Sequence, residues 1–113
     1  MIPLNRLVEI IDDKKGFDIA ALDVADICSF TDTFLIASTR SYVQIDAIAG
    51  AIVDEFKQQG LPIPKLQGTS RSGWVLLDCN TVIIHIFSET AREHYNIEKL
   101  WTNAKPVDMG VSS

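Results

Sequence analysis

A six-residue segment, Gly68–Gly73, comes nearest in this chain to the spacing of a phosphate-binding loop. Its two glycines stand at the positions of a Walker loop, whose backbone N–H groups bind nucleotide phosphates. That motif continues with Lys and then Ser or Thr at the start of a helix, whereas Trp74 and Val75 follow here and favour a strand. The sequence therefore predicts a flexible connection at Gly68–Gly73 and no nucleotide loop.

Two histidines, His85 and His94, are the next candidates for catalysis or metal binding. They stand nine residues apart, which matches none of the usual spacings of zinc ligands. His85 lies inside an apolar run and is predicted to be a core residue with satisfied hydrogen bonds, whereas His94 lies on a polar helix and is predicted to be solvated.

Acids and thiols are equally dispersed. Asp23, Asp26 and Asp32 lie near the ends of the first predicted strands, where many α/β enzymes bind metal ions, but they include no D-x-D pair. Solvated turn and cap residues are the simpler interpretation. Cys28 and Cys79 form no C-x-x-C pattern, which is typical of free thiols in a reducing cytosol. We expect no catalytic residue, no metal and no cofactor, and hence no enzyme.

The element around which these residues are arranged is a predicted β-hairpin, formed by Trp74–Leu77 and Val82–Phe87. β-branched and aromatic residues dominate both runs, and Asn80 in the polar link suits the left-handed backbone of a tight turn. Both strands are apolar on both faces, which is typical of strands covered on two sides.

Alternation along the first strand of this hairpin places Trp74, Leu76 and Asp78 on one face. Trp74 has two interpretations, since a tryptophan of a small domain is commonly part of the core. It also lies beside Arg71, and aromatic and arginine side chains are enriched at binding hot spots. The residues alone leave both interpretations open.

The remaining elements complete a predicted α/β fold, a mixed β-sheet flanked by helices in a single domain. Ser41 and Gln44 form a predicted capping box for the longest helix. The expected helices are Leu4–Ile11, the helix that Ser41 opens, a short helix Glu89–Tyr95 and one more turn at Ile97–Trp101; the expected strands are Ile19–Val24, Thr33–Ser38, the hairpin and, at best, an edge strand after Leu61.

Composition limits the partners. The 113 residues carry a formal charge of −5, which repels phosphate backbones and suits a basic protein partner, so direct DNA binding is not expected. A hydrophobic content of 47% is slightly rich for a small monomer and indicates an apolar interface. No apolar run approaches the length of a membrane span, and the sequence predicts a cytoplasmic protein without membrane contact.

Several segments, taken in order, resemble the ribosomal silencing factors, also called the Iojap family. The signature begins with L-D-V-A-D-I-C-S-F-T-D-T-F-L-I-A-S at 22–38 and continues through the helix at 45–59. W-V-L-L-D at 74–78, V-I-I-H-I-F at 82–87 and A-R-E-H-Y-N-I-E-K-L-W at 91–101 complete it. The resemblance covers nearly the whole chain before Lys105, so we expect a domain at residues 1–104 and a flexible tail at 105–113.

The resemblance implies a nucleotidyltransferase-like fold, a homodimer when free, and a translational repressor. Such a protein binds the large ribosomal subunit through its fourteenth protein and sterically blocks joining of the small subunit. The family's partner-contacting positions fall in the W-V-L-L-D segment, which makes Trp74, Leu76 and Asp78 the predicted partner-binding residues. The alternative is a nucleotidyltransferase-like enzyme acting on a nucleotide substrate, for which the paired carboxylates and phosphate loop are missing.

Overall fold

The structure is a computed structural model that describes residues 2–25, 31–95 and 105–106. These residues form helices and strands in an interleaved order, with a single 3-10 turn at Ser70–Ser72. The helices are α1 (Leu4–Asp13), α2 (Tyr42–Gln58) and α3 (Glu89–Tyr95); the strands are β1 (Phe17–Asp23), β2 (Thr33–Thr39), β3 (Lys65–Thr69), β4 (Trp74–Asp78), β5 (Val82–Ser88) and β6 (Lys105–Pro106).

All these strands belong to one sheet in the order β3-β4-β5-β2-β1-β6. β5 runs parallel to β2, and the other neighbouring pairs are antiparallel. The predicted mixed sheet flanked by helices in one α/β domain is therefore confirmed. β6 pairs with Leu22 and Asp23 of β1, so the first two residues of the predicted tail are attached to the sheet. The division into residues 1–104 and 105–113 stays a prediction.

One face of the sheet is covered by α1 and α2. Both helices present an apolar stripe that buries residues such as Leu7, Ile48 and Ile52 against Leu77 and Ile84 of the sheet. α2 begins where the sequence predicts, because the Ser41 side chain accepts a hydrogen bond from the Gln44 backbone N–H at 3.3 Å. The predicted capping box is wrong in its other half: the Gln44 side chain accepts from the N–H of Arg40, one residue further back, at 2.7 Å.

The predicted hairpin is confirmed as β4 and β5, with Trp74 opposite Phe87 and Asp78 opposite Ile83. Its turn closes as the composition of the link suggests. Asn80 has a φ of 75°, and its N–H donates to the Asp78 side chain at 3.0 Å. This local bond stabilises a left-handed residue, which asparagine tolerates better than most side chains.

The prediction of a flexible connection at Gly68–Gly73 is wrong. β3 continues through Thr69 as the edge strand, and the following 3-10 turn is held by hydrogen bonds. The Ser70 hydroxyl donates to Asp46 of α2 at 2.9 Å, and the Ser72 hydroxyl donates to the carbonyl of Thr69 at 2.7 Å. The serines thus fix a turn that their composition alone made look mobile. The predicted turn at Ile97–Trp101, Asp26 and Cys28 lie outside the described residues.

Candidate functional site

The three predicted partner-binding residues lie side by side on the sheet face opposite α1 and α2. We call Trp74, Leu76 and Asp78 the Trp74 strip. Each is half-buried, whereas Val75 and Leu77, which point to the helices, are 3% and 0% exposed. β4 therefore has one face sealed in the core and one face that water reaches in part.

Trp74 rests on aromatic side chains of β5. Its ring stacks on Phe87 with centroids 5.1 Å apart and an interplanar angle of 21°, and on His85 at 5.9 Å and 27°. The indole Nε1–H donates a hydrogen bond to Nδ1 of His85 at 3.2 Å. Stacking and a directional bond together hold the indole in one orientation.

His85 is a buried histidine whose two ring nitrogens differ in their hydrogen bonding. Its side chain is 3% exposed. Phe34 of β2 packs against it in a T-shaped contact, with the ring centroids 4.8 Å apart. Burial lowers its pKa to about 4, so the ring is neutral at physiological pH. The predicted core position is confirmed, but the prediction that all hydrogen bonds of the ring are satisfied is wrong, because Nε2 is buried with no hydrogen-bond partner in the described part of the chain.

Gly73 determines where the strip begins. Its φ of 82° is a left-handed value that glycine adopts without strain. A Cβ at this position would lie 2.8 Å from Oγ of Ser88 and 3.0 Å from Cβ of Ala91, so a larger residue would separate the start of β4 from α3. The Gly73 carbonyl also accepts from the Ser88 N–H at 2.9 Å, which places Trp74 beside the β5–α3 junction.

The other end of the strip carries charge. The register places Asp78 directly opposite Lys65 of the edge strand β3, and both belong to the same face as Trp74. The Asp78 carboxylate accepts the Asn80 N–H, which orients it at the hairpin turn. The strip thus runs from an aromatic residue to an acidic one.

A cavity of about 470 Å³ opens at the same turn on the helix side of the sheet. It is lined mainly by apolar residues from the start of α1, the end of α2 and residues 61–64, and Cys79 forms part of its wall. Burial raises the pKa of the Cys79 thiol to about 12, which leaves it protonated and unreactive at neutral pH. Cys79 is a free thiol, as predicted.

Among the described residues, the other candidates for catalysis or metal binding do not lie together in one site. The Asp23 side chain accepts the N–H of Ala25 at 3.0 Å, as the predicted turn residue would. Within residues 2–25, 31–95 and 105–106, no three His, Cys, Asp or Glu side chains are grouped so as to hold a metal ion. In that same part of the chain, none of the helices has the length and hydropathy needed to cross a membrane.

Sequence reasoning missed the residues behind the strip, namely His85, Phe87 and Gly73. Alternation along the second strand does place His85 and Phe87 on one face, but it does not say which cross-strand neighbours they meet. The hairpin turn could have indicated these neighbours, because it sets the register of the two strands. Pairing Asp78 with Ile83 puts Trp74 opposite Phe87 and diagonal to His85. The partner of the indole N–H follows from that register.

Comparison with known proteins identifies the family. The family described as "Ribosomal silencing factor during starvation" matches residues 3–112. Ribosomal silencing factor RsfS of Bacillus subtilis is 40% identical over 98 residues, which are 87% of this chain and 83% of that protein. The chain belongs to the ribosomal silencing factor family, as the resemblance of its motifs predicts.

Solved structures and more distant relatives agree with this assignment. A crystal structure of a protein from Chromobacterium violaceum superposes with a TM-score of 0.80 at 30% identity, covering 92% of this chain and 88% of that one. A mouse protein named "Mitochondrial assembly of ribosomal large subunit protein 1" is 28% identical over 102 residues, which are 88% of this chain and 45% of the mouse protein. The name of that relative connects it with the large ribosomal subunit.

Proposed function

We propose that this protein is a translational repressor that binds the large ribosomal subunit through its fourteenth protein and blocks joining of the small subunit. The observation that carries the proposal is membership of the ribosomal silencing factor family, whose match extends over residues 3–112. Blocking a subunit interface requires only that a folded domain occupy it, and a domain of about 30 Å in each dimension is large enough to do so.

The Trp74 strip supports the proposal as the contact surface. It presents a half-buried tryptophan, a leucine and an acidic end on one face of the hairpin. Buried aromatic anchors dominate many protein interfaces, and charged residues at their margin steer association. A protein of formal charge −5 suits a basic ribosomal protein better than it suits RNA.

The protein acts in this proposal by occupancy and not by catalysis, in the cytoplasm. A regulatory family is consistent with that mode of action. In this view the half-buried thiol of Cys79 and the buried ring of His85 take no part in catalysis, since burial keeps the thiol protonated and holds the imidazole away from solvent.

Free copies are proposed to pair with each other through the same strip. Trp74 and Leu76 leave part of their apolar surface accessible, and a two-fold pairing would cover it on both copies at once. The dimer would then compete with the ribosomal partner, because both use one surface.

Binding to isolated ribosomal subunits tests the proposal. The protein should co-sediment with large subunits and not with small ones, and it should lower the light-scattering signal of subunit joining when added first. Trp74→Ala should abolish both effects at the same protein concentration, while Leu66→Ala, an exposed apolar residue on the other face of the edge strand, should keep them. Absence of the wild-type protein from the large-subunit fraction would refute the proposed partner.

The competing enzymatic function has its own assay. The protein, incubated with each of the four labelled nucleoside triphosphates and Mg²⁺, should release no pyrophosphate and transfer no label. Turnover that Asp78→Asn removes would replace the binding proposal by a nucleotidyltransferase.

A further inference from the structure

We infer that His85 is a positioning residue for the interface, one that orients the Trp74 indole through its Nδ1 atom. This inference rests on the proposed function, because it assigns a purpose to the orientation of a predicted partner-binding side chain. The observations behind it are the 3.2 Å hydrogen bond from Nε1 of Trp74 to Nδ1 of His85 and the stacking of the two rings.

The hydrogen bond requires one tautomer of the histidine. Nδ1 can accept the indole proton only when it carries none, so the single proton of the neutral ring sits on Nε2. Nε2 is buried and has no hydrogen-bond partner among the described residues, which is an unfavourable position for a polar N–H. The fold therefore tolerates an unsatisfied donor at Nε2 while it keeps an acceptor at Nδ1 for Trp74.

Neighbouring aromatic rings hold the imidazole of His85, the acceptor of the indole hydrogen bond, in place on β5. Phe34 from β2 makes a T-shaped contact with the imidazole, and Phe87 lies beside it along the same strand, with the ring centroids 6.1 Å apart and the planes within 7°. The imidazole is thus packed by rings other than that of Trp74. A fixed acceptor removes rotational freedom from the indole, and a side chain ordered in advance loses less entropy when a partner binds.

A phenylalanine at this position would pack as well but would accept no hydrogen bond. Phenylalanine is the commoner residue for a buried apolar strand, and it would also remove the unsatisfied Nε2. Among the described residues, the bond with Trp74 is the one contact that the histidine makes and a phenylalanine could not. This makes the effect of the bond separable from the effect of packing.

The test uses Trp74 itself as the reporter. In a Trp101→Phe background, Trp74 is the only tryptophan of the chain, and its near-ultraviolet circular dichroism reports how rigidly the indole is held. His85→Phe keeps a ring and removes the acceptor; His85→Asn loses the ring but places a carbonyl oxygen near the position of Nδ1. We expect the tryptophan bands to weaken in His85→Phe and to be retained more fully in His85→Asn. Bands of wild-type intensity in His85→Phe would overturn the inference.

A double-mutant cycle connects the orientation with binding. His85→Phe should weaken binding to isolated large ribosomal subunits about five- to tenfold when Trp74 is present, the usual effect of one hydrogen bond, and by less than twofold when Trp74 is already alanine. Ile84→Val, on the opposite face of β5, serves as the control for a general loss of packing and should leave the affinity within twofold of wild type. Equal losses in both Trp74 backgrounds, or none in either, would overturn the positioning role.

Failure of the proposed function and failure of the positioning role of His85 give different experimental results. If wild-type protein does not bind large subunits, the proposed function is wrong, while the dichroism of Trp74 still decides whether His85 orients the indole. If the protein binds and Trp74→Ala binds equally well, the orientation has no role in binding and the inference is wrong.

Discussion

The two faces of the β4–β5 hairpin both carry apolar side chains but differ in how completely those side chains are buried. On the helix side, Leu77 and Ile84 are sealed under α1 and α2 in a purely apolar core. On the other side, Trp74 is half-buried over a layer that contains a histidine with an unsatisfied nitrogen. A buried polar nitrogen costs stability, so the contrast distinguishes the face that holds the fold from the face that we propose for recognition.

Two neighbouring leucines test the difference between the two faces most directly. Leu77→Ala should lower the free energy of unfolding by about 3 kcal/mol, because it leaves a cavity in a fully buried site. Leu76→Ala, one residue away on the half-buried face, should cost only about 1 kcal/mol. Urea unfolding followed by circular dichroism measures both. Equal losses would mean that the two faces are equally structural.

Trp74→Ala tests the recognition side. We expect binding to large ribosomal subunits to weaken by about 2 kcal/mol or more, roughly thirtyfold, as is typical for an aromatic hot spot. Titration of labelled protein against isolated subunits measures this, at a temperature where circular dichroism shows the variant to be folded. Leu66→Ala is the control, since Leu66 is 56% exposed but lies on the other face. A similar loss in Leu66→Ala would move the interface to the edge strand.

Proton uptake by His85, on the same face as Trp74, should make the stability of the protein depend on pH. The pKa of His85 is about 4 in the folded protein and about 6.5 in the unfolded chain, so between these values only the unfolded chain binds the proton. The stability contributed by the neutral ring is complete above pH 6.5 and is lost as the pH falls toward 4. From pH 7 to pH 5 the loss should be about 2 kcal/mol.

His85→Phe is the reference for that measurement, because it differs from the wild-type protein only in the ring that takes up the proton. The register places Asp78 and Lys65 on the same face as His85, and Glu89 and Arg92 belong to the adjoining α3. Urea midpoints of the two proteins should diverge steadily as the pH is lowered from 7 to 5. Parallel curves would show that the imidazole is solvated in solution.

The charge at the end of the strip should give the smallest effect. Asp78→Asn keeps the oxygen that accepts the Asn80 N–H, so the turn is preserved while the charge is lost. We expect affinity for large subunits to fall about two- to threefold at low salt, and the difference from wild type to vanish at high salt. A difference that persists at high salt would indicate a buried contact of Asp78.

Elements whose determinants are local could be predicted from the sequence. The helical stripe of α2, the hairpin and the alternation that puts Trp74 and Leu76 on one face all follow from residue periodicity. The turn at Ser70–Ser72 could not, because its hydrogen bond to Asp46 joins residues 24 positions apart. The same limit applies to the site. Trp74 could be selected from its residue type, but its hydrogen bond to His85 depends on strand register, which is known only once both strands are paired.

The position of β5 in the sheet has a consequence for the synthesis of the protein. Among the described elements, β5 is the only strand that joins the β1–β2 pair to the β3–β4 pair, and it follows all four of those strands in the chain, beginning at Val82. A nascent chain that ends before Val82 therefore lacks the strand that joins the two antiparallel pairs into one sheet.

Such an unfinished chain also lacks His85 and Phe87, the side chains on which the indole of Trp74 rests. While it is still attached to the ribosome that makes it, the chain holds Trp74 without its support. The Trp74 strip is therefore completed only after β5 has been synthesised, and under the proposed function an unfinished copy offers no complete contact surface to the ribosome that makes it.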